Sequence, residues 1–541
     1  MARRALALIC WAALALLLGP GAALAQAQPP TPGTVLETVP PRRAPPPGPA
    51  QLLFPRDEQR PAADTGGPRF TVYGFEFTGN TVFPEARLRR VVERYVDLEL
   101  NLFELNSAAD AVTRFYRRQG YPVARAIIPA QRVTDGVVHI EVVEGRIGKV
   151  RFDGNRRYSD ATLRARMATL TSGRVVTLDE LERALLLLND LPGLTARATL
   201  EPGTEFGATD VVVKVEEKPV DVALQLSNTG RREVGTIRLD AGASLDNPLG
   251  FGDQISVRDV RSEGGLFEYK RIGYSAPLGA SGLRVSAARS TVEYRVAGDF
   301  DALGIRGNVQ GSEVGLSYPL VRGRSRNIIG NLGQRYTKTE QTALGTPVSQ
   351  GSLRLLTASV NASWVHSDSS ASTLNAGYSG NGRPNPGPVA TPDALTAQYN
   401  LEYTYLTGLS PHWDLFLRGQ LVKTKGAAPD TEKFGLGGPD SVRAYRSAEL
   451  RGDNGWLLVS ELRRQFIVAD VPAVATLFYD WGGVNNQGFA GQDKLQGVGA
   501  GVTAYPARSL RLQAQIATPF QSRTPADGER TRVWLSLTVQ F

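Results

Sequence analysis

The chain has 541 residues, 57 of them glycine and 42% of them hydrophobic, with a mean hydropathy of −0.20 and a formal net charge of +8. That hydropathy leaves room for few long apolar runs, and past the N-terminus no stretch supplies the roughly 20 apolar residues of a spanning helix, which excludes a helical membrane protein. Nucleic acid is not indicated either: the arginines are spread through strand-like segments and form no stripe, and an anionic outer leaflet or a polar lumen accounts for the charge as well.

At the N-terminus Arg3 and Arg4 precede an apolar run from Ala5 to Leu18, and Ala23 and Ala25 flank Leu24 before Gln26. This is the pattern of a secretory signal, residues 1–25, with cleavage expected between Ala25 and Gln26. Export places the mature chain outside the cytoplasm. The sole cysteine, Cys10, lies inside the signal, so cleavage leaves no thiol for a disulfide, a metal or a nucleophile. Residues 26–68 are a proline-rich extension that cannot bury enough apolar surface to order itself and is expected to be extended or disordered. Within it "QLLFPRDEQR", positions 51 to 60, has the composition of a short docking element, although Pro55 limits any helix there to about one turn.

An internal repeat follows. "FTGN" at Phe77 to Asn80 aligns with "FDGN" at Phe152 to Asn155, and "VVHIEVVEG" from Val137 aligns with "VVVKVEEK" from Val211, a period of about 75 residues. The first copy, 69–145, reads as a strand from Phe70 to Phe77, a helix beginning at Pro84, a helix from Asn106 to Gln119, and two strands. Asn106 is a candidate N-cap, Gly120 a stop, and Ala109, Val112, Phe115 and Tyr116 recur at helical spacing. The second copy, 146–218, repeats the order: a strand at Val150 to Phe152, a helix after Ser159, a helix from Leu178 to Asn189, and strands near Ala196 and Val211. Each copy is thus a β-α-α-β-β module. The order and the F-x-G-N turn resemble POTRA domains, the periplasmic modules that precede the barrels of the Omp85 superfamily. An open sheet edge in such a module can accept an extended peptide as an added strand.

From residue 219 to 541 the pattern changes to period two. Val222, Leu224 and Leu226 share one face; Tyr399, Leu401, Tyr403 and Tyr405 share another; Leu510, Leu512, Ala514 and Ile516 a third. Sixteen candidate strands begin near residues 220, 234, 252, 265, 281, 305, 326, 351, 370, 395, 411, 454, 472, 495, 508 and 531. Strands of about 9 to 15 residues, with Trp413, Trp456, Trp481 and Trp534 near strand ends, favour a transmembrane barrel over a soluble sandwich. An even number of antiparallel strands suits a closed barrel with no unpaired edge in lipid. The chain ends in "VWLSLTVQF", whose terminal Phe541 resembles the signal by which outer-membrane barrels are recognised for assembly.

The longest connection within the barrel, 425–453, is of a length that is functional or disordered in compact structures. It carries Val442-Arg443-Ala444-Tyr445, which resembles the lid-loop signature of Omp85 barrels, with Ala444 where the family has glycine. Two strands on, Phe478-x-Asp480-x-Gly482 resembles the barrel-wall motif whose aspartate receives the lid-loop arginine. If Leu477, Tyr479 and Trp481 face lipid, Phe478 and Asp480 face the lumen. An unpaired carboxylate in a narrow lumen is costly, whereas an Arg–carboxylate pair is bidentate and orienting. Arg443 is therefore expected to reach Asp480, with Glu461 and Arg463 of the intervening strand as further members of a lumen network and Arg446 as an ordinary loop or lumen charge.

Enzyme signatures are weak. No G-x-S-x-G elbow or phosphate loop occurs, His139, His366 and His412 are too scattered for a metal site, and "WVHSDSS" (364–370) reads as a strand end and polar turn. No catalytic residue, metal or cofactor is assigned. The fold class read from the sequence is a 16-stranded antiparallel transmembrane barrel preceded by two α+β POTRA modules. Together with the motifs it resembles the TpsB transporters of two-partner (type V) secretion, the family of hemolysin-activation and filamentous-hemagglutinin secretion proteins. The resemblance implies a monomer in the bacterial outer membrane, installed there by the barrel-assembly machinery and bathed in its lipid. Its POTRA modules would capture one large unfolded exoprotein for export through a barrel gated by the lid loop. Folding of the cargo outside would bias the movement, since the periplasm has no ATP. In many relatives an N-terminal helix plugs the pore; the proline content of 26–68 speaks against one here. The alternatives are a barrel-assembly insertase of the same superfamily, and a barrel enzyme or passive porin.

Overall fold

The computed structural model describes residues 29–39, 51–53, 67–381 and 397–541. The expected cleavage site at Ala25 and Gln26 lies outside these residues. The described chain begins with a five-residue helix, α1 (Pro32–Leu36), and a short strand, β1 (Gln51–Leu53). Neither stands alone: α1 lies in the barrel and β1 on the second module.

The first module contains β2 (Phe70–Val72), β3 (Gly74–Thr78), α2 (Glu85–Val92), β4 (Leu98–Leu100), α3 (Leu102–Arg118), β5 (Arg125–Ile127) and β6 (Val137–Val143). Its sheet has the order β3-β6-β5, and β2 pairs separately with β4. Helix α3 starts a turn before Asn106, because Asn101 and Glu104 form a reciprocal capping box: the Asn101 side chain accepts from Glu104 N at 2.9 Å and Glu104 accepts from Asn101 N at 2.9 Å. Its apolar face buries Leu105, Val112 and Tyr116 against Phe75, Phe77, Val138 and Ile140 of the sheet.

The second module contains β7 (Arg146–Asp153), α4 (Asp160–Arg166), α5 (Leu178–Asn189), β8 (Leu194–Pro202) and β9 (Ala208–Glu217), in the order β1-β8-β9-β7. The repeated F-x-G-N turn has one physical basis in both copies. Gly79 and Gly154 adopt φ of +76° and +90°, and a Cβ at either would come within 2.3 or 2.5 Å of a carbonyl, that of Val142 or Val215. The following Asn80 and Asn155 donate to the carbonyls of Phe83 and Tyr158 at 3.0 and 2.9 Å. Each loop is then held by a glutamate at the end of the module's last strand or just after it. Glu144 accepts from Val82 N at 2.7 Å and Glu217 from Arg157 N at 2.9 Å. Burial pushes the Tyr116 hydroxyl well above its ordinary pKa, and its hydrogen bond to Glu144 at 3.0 Å adds to the shift.

Sixteen of the described strands close into an antiparallel barrel. They are β10 (Val220–Ser227), β11 (Arg238–Asp246), β12 (Gln254–Ser262), β13 (Phe267–Pro277), β14 (Arg284–Arg295), β15 (Arg306–Arg322), β16 (Arg326–Ala343), β17 (Thr346–Ser367), β18 (Ser370–Gly380), β19 (Ala397–Ser410), β20 (Trp413–Lys425), and, beyond the long connection, β23 (Asn454–Val468), β24 (Val471–Asn485), β25 (Asp493–Ala507), β26 (Leu510–Pro519) and β27 (Arg532–Gln540). Each predicted start lies within five residues of an observed one. Strands β15, β16 and β17 run to 17, 18 and 22 residues, beyond the expected range, because the β16–β17 ladder continues to the pair Ala343–Thr346 past the apolar band. Closure joins β10 to β27 with Leu226 opposite Leu537. Period two then sorts the wall: Leu226, Ile272, Leu332 and Tyr399 are exposed on the outside, and Asp240–Arg258 and Glu402–Arg418 ion pairs lie on the lumen side. Trp534 departs from the expected aromatic belt: it is buried and faces the lumen.

The second module is docked on the first turns of the barrel. Asp190, at the end of α5, takes a bidentate contact from Arg322 at 2.7 and 3.0 Å. Gly252 and Gly282 leave room in those turns for Leu191 and Leu187.

Residues 29–39, expected from composition to be extended, are ordered against the lumen wall. Pro32 occupies the first turn of α1, where its missing N–H is no loss, and the Thr31 hydroxyl accepts from Thr34 N at 3.3 Å. Val35 is fully buried among Val234, Val260, Phe267, Tyr294 and Val309. Arg238, stacked 4.0 Å over Phe267, donates to Thr38 O at 2.9 Å, and Gln341 donates to Pro30 O at 3.0 Å. Of the "QLLFPRDEQR" segment the described residues are Gln51–Leu53, and they pair as a strand in parallel with Arg197–Thr199 of β8; positions 54 to 60 lie outside the described residues. Gly33 approaches the long connection so closely that a Cβ would come within 2.2 Å of Asp430 O. Gly33→Leu is therefore expected to expel α1 and raise single-channel conductance in planar bilayers several-fold, with the heat-modifiable barrel retained; unchanged conductance would show that α1 does not obstruct the lumen.

Candidate functional site: the lid loop and its wall

Residues 426–453 fold back into the lumen. The return is built by a two-stranded ladder, β21 (Phe434–Leu436) with β22 (Leu450–Gly452), and by two consecutive glycines. Gly437 and Gly438 have φ of +109° and +107°, and a Cβ on Gly437 would lie 2.4 Å from Arg446 O. The tip is a turn closed by Tyr445 N donating to Val442 O at 3.1 Å. Val442, Ala444 and Tyr445 are fully buried in a cluster with Phe434, Leu436, Leu457, Phe478 and Leu495. The wall is shaped for this cluster. A Cβ on Gly482 would meet Leu436 at 2.5 Å, and one on Gly497 would meet Ala444 Cβ at 2.6 Å. Ala444, in the place of the resembled family's glycine, is thus accommodated by a glycine of the wall.

Arg443 and Asp480 are brought together. Arg443 Nε and Nη2 donate to the two oxygens of Asp480 at 2.8 and 2.6 Å, and the Arg443 backbone N–H donates to Asp480 Oδ2 at 3.0 Å. Nη1 donates to Glu461 at 2.7 Å, and the guanidinium lies 3.5 Å from the centre of the Phe478 ring. Arg463 donates to the other oxygen of Glu461 at 2.6 and 2.8 Å. Arg443 is 3% and Asp480 0% exposed, so this pair lies where little water reaches, while the partly exposed Arg463 brings the two arginines and two carboxylates to charge balance. Phe541 lies at the closing seam, exchanging backbone hydrogen bonds with Val222 at 2.9 and 3.3 Å while its ring is exposed.

Arg446 is more than a spare charge. It pairs with Glu233 at 2.7 Å and with Glu449 at 2.9 Å, and Arg231 donates to Ser447 O at 3.0 Å, which fastens the descending arm to the first connection of the barrel. Trp534 donates to Arg443 O at 2.8 Å, Arg418 to Asp440 O at 2.7 Å, and Tyr445 to Arg523 O at 2.7 Å. Sequence reading missed the lid contacts of Arg231, Glu233, Arg418 and Trp534; all but Arg418 lie far from the lid in sequence, and Trp534 was read as a belt aromatic. Inward parity on their strands was the only available signal for Arg418 and Trp534. His366 meets Ser372 on the neighbouring strand at 2.8 Å, and among the described residues no group of three or more His, Cys, Asp or Glu side chains is placed to hold a metal.

Residues 207–504 match the family described as haemolysin secretion/activation protein ShlB/FhaC/HecB. The chain belongs to this family. Residues 70–145 match the POTRA domain of ShlB type, and residues 146–218 match the POTRA family described as surface antigen variable number repeat. The chain is 25% identical over 476 residues to the heme/hemopexin transporter protein HuxB of Haemophilus influenzae, covering 84% of each chain. It is 28% identical over 462 residues to the outer membrane transporter CdiB of Escherichia coli, covering 78% of this chain and 74% of that one. The solved structure of CdiB from Escherichia coli superposes with a TM-score of 0.70 at 23% identity, covering 89% of this chain and 92% of that one. The protein is thus a TpsB-type transporter of the outer membrane, with its POTRA domains in the periplasm.

For this TpsB-type lid, Arg443→Ala leaves Asp480 and Glu461 buried without their shared partner, a change of about 3–5 kcal/mol in lid anchoring. The lid loop in outer-membrane vesicles should then be cleaved faster by external protease while the barrel stays heat-modifiable. Arg443→Lys keeps the charge but loses the fork, and its cleavage rate should fall between the two.

Proposed function

We propose that this transporter recognises one large exoprotein in the periplasm through its POTRA domains and exports it unfolded through the barrel, with the lid loop as a gate. The observation that carries this reading is the lid drawn deep into the lumen by Arg443 onto Asp480. A passive porin needs neither the two periplasmic modules nor the paired Arg443 and Asp480 motifs, and an enzyme would need a reactive constellation there. Two arginines held by the carboxylates of Asp480 and Glu461 and stacked on the Phe478 and Phe416 rings make a poor catalytic site and a good latch. Val442, Tyr445, Phe478 and Gly482 act in this account as the packing that seats the latch, and Glu461 and Arg463 as its second layer.

The transporter works as a monomer in outer-membrane lipid. It binds no nucleic acid and uses no cofactor, and the bias for export comes from cargo folding outside the cell. Phe541, last in the closing strand, serves recognition by the barrel-assembly machinery.

A strain lacking the gene should fail to release one large polypeptide into the medium while other outer-membrane barrels assemble normally. Loss of the other barrels would identify an assembly factor instead. In the complemented strain, Arg443→Ala should cut release with normal amounts of heat-modifiable barrel. Deleting Phe541 should lower the amount of barrel first, and release only in proportion.

A further inference from the structure

The outer face of β12 to β17 changes character along its height. Toward the periplasmic end it is apolar, with Ile272, Val314 and Leu332 exposed to lipid. At the other end, away from the docked second module, it is charged. Arg289, Arg295, Arg306, Lys338 and Arg354 face outward by strand parity, since Val292, Tyr294, Val309 and Leu355 are buried on the inner side. Among the described residues none of these five has a carboxylate within ion-pair distance. Asp259 and Glu268 beside them are already paired with Arg261 and Lys270 at 2.8 to 3.2 Å, which leaves Glu293 and Glu340 against five cations. Arg295 and Arg306 stand directly opposite each other across the β14–β15 ladder, an arrangement that repels unless an anion lies between them. On β23 and β24 the same end of the wall instead carries Trp456 and Trp481, edge to face at 4.7 Å, so the charge belongs to one side of the barrel. Two concavities abut on that side. A polar one of about 610 Å³ is lined by Arg295, Arg306 and Lys338 together with Glu293 and Glu340. Below it a groove of about 470 Å³ crosses β10 to β14, walled by Leu224, Ala241, Ala243, Val257 and Ile272 and bordered by Lys270 and Arg289. Ala241 and Ala243 open this groove, being small where their cross-strand partners are Leu224 and Val257. The two concavities meet where Thr291 pairs with Gln310.

We propose that this face binds one phosphorylated glycolipid of the outer leaflet, with its phosphates in the polar concavity and an acyl chain in the groove. The leaflet follows from the end of the barrel concerned, which is opposite the periplasmic modules. A free anion would use the basic rim alone, and a neutral lipid the groove alone. Cations stacked directly above an apolar groove, at the level where hydrocarbon gives way to headgroups, match a molecule that carries both. Five cations against Glu293 and Glu340 leave an excess of three positive charges. Two phosphate monoesters, at about −1.5 to −2 each, balance that excess better than a single phosphodiester does. Arg289 is held spread toward the site by donating to Gln310 at 3.2 Å and to Ser312 at 3.4 Å, and a phosphate between Arg295 and Arg306 relieves their mutual repulsion.

Titration of fluorescent diphosphoryl lipid A into the purified mature protein in detergent micelles tests this. Combining Arg306→Gln with Lys338→Gln should weaken binding about thirtyfold while the barrel stays heat-modifiable. Combining Lys423→Gln with Lys494→Gln removes two exposed, outward cations from other parts of the wall and should leave binding unchanged. Ala241→Phe, which fills the groove, should weaken lipid binding several-fold. Monophosphoryl lipid A should compete less well than the diphosphoryl form, and millimolar inorganic phosphate should not compete. Binding that the first pair does not weaken, or that both pairs weaken equally, overturns the assignment of this face. Displacement by phosphate alone would reveal an anion site with no lipid, and indifference to Ala241→Phe or to the second phosphate would likewise overturn the proposal.

Discussion

The arrangement depends on one guanidinium held in a place with little water. Arg443 sits at the tip of a chain segment that has to fold back through the lumen, and the ladder of its two arms shapes that return while contacts with the wall hold its tip in place. Asp480, supplied by the wall and fully buried, would be unstable alone; Arg443 would be as well. Each makes the other tolerable, and the pair fixes the depth and angle of the lid because a bidentate contact tolerates little rotation. Glu461 and Arg463 complete a neutral group of four, and the Phe478 ring covers the flat face of the guanidinium at 3.5 Å.

Around that latch the lumen is divided between two parts of the same chain. The lid loop lies against β20 and β23 to β27, and residues 29–39 lie against the wall from β11 to β16. They meet at Asp430, which accepts from Gly33 N at 2.6 Å and is paired with Arg451 of the lid. Small residues decide how near the pieces come: a Cβ on Gly33 would collide with the lid loop at Asp430, and one on Gly482 or Gly497 of the wall would collide with Leu436 or Ala444 of the lid. The lumen contents are thus held by charge pairs and close approaches that can be undone singly, unlike the continuous hydrogen-bonded ladder of the wall, whose closure in lipid leaves no alternative.

Much of the wall was legible because period two is unforgiving: a slip by one residue would carry Leu226 or Tyr399 into the lumen and Asp240 toward lipid. The paired motifs were legible for a related reason, since an aspartate at an inward position needs a cation. Other features were hidden by the same logic. Asn106 looked like a cap because its own type favours one, but Asn101 had the partner, Glu104, that a capping box requires. Trp534 looked like a belt aromatic by type, and parity sent it inward to Arg443. The order of residues 29–39 was invisible to composition, because a proline-rich segment that cannot bury itself can still be buried by a lumen already lined with Val260, Phe267 and Tyr294. Arg231 and Glu233 belong to a connection whose place over the lid only the closed barrel reveals.

The central claim is that Arg443 and Asp480 act as one unit holding the lid inside. It is tested most directly by a double-mutant cycle read through an added cysteine at Ser441, scored by its labelling rate with a membrane-impermeant thiol reagent in intact cells. Arg443→Ala and Asp480→Ala should each speed labelling, and the double variant should be no faster than the faster single one, since the second change removes a partner already lost. Rates that multiply, or that do not move in either single variant, would contradict the account.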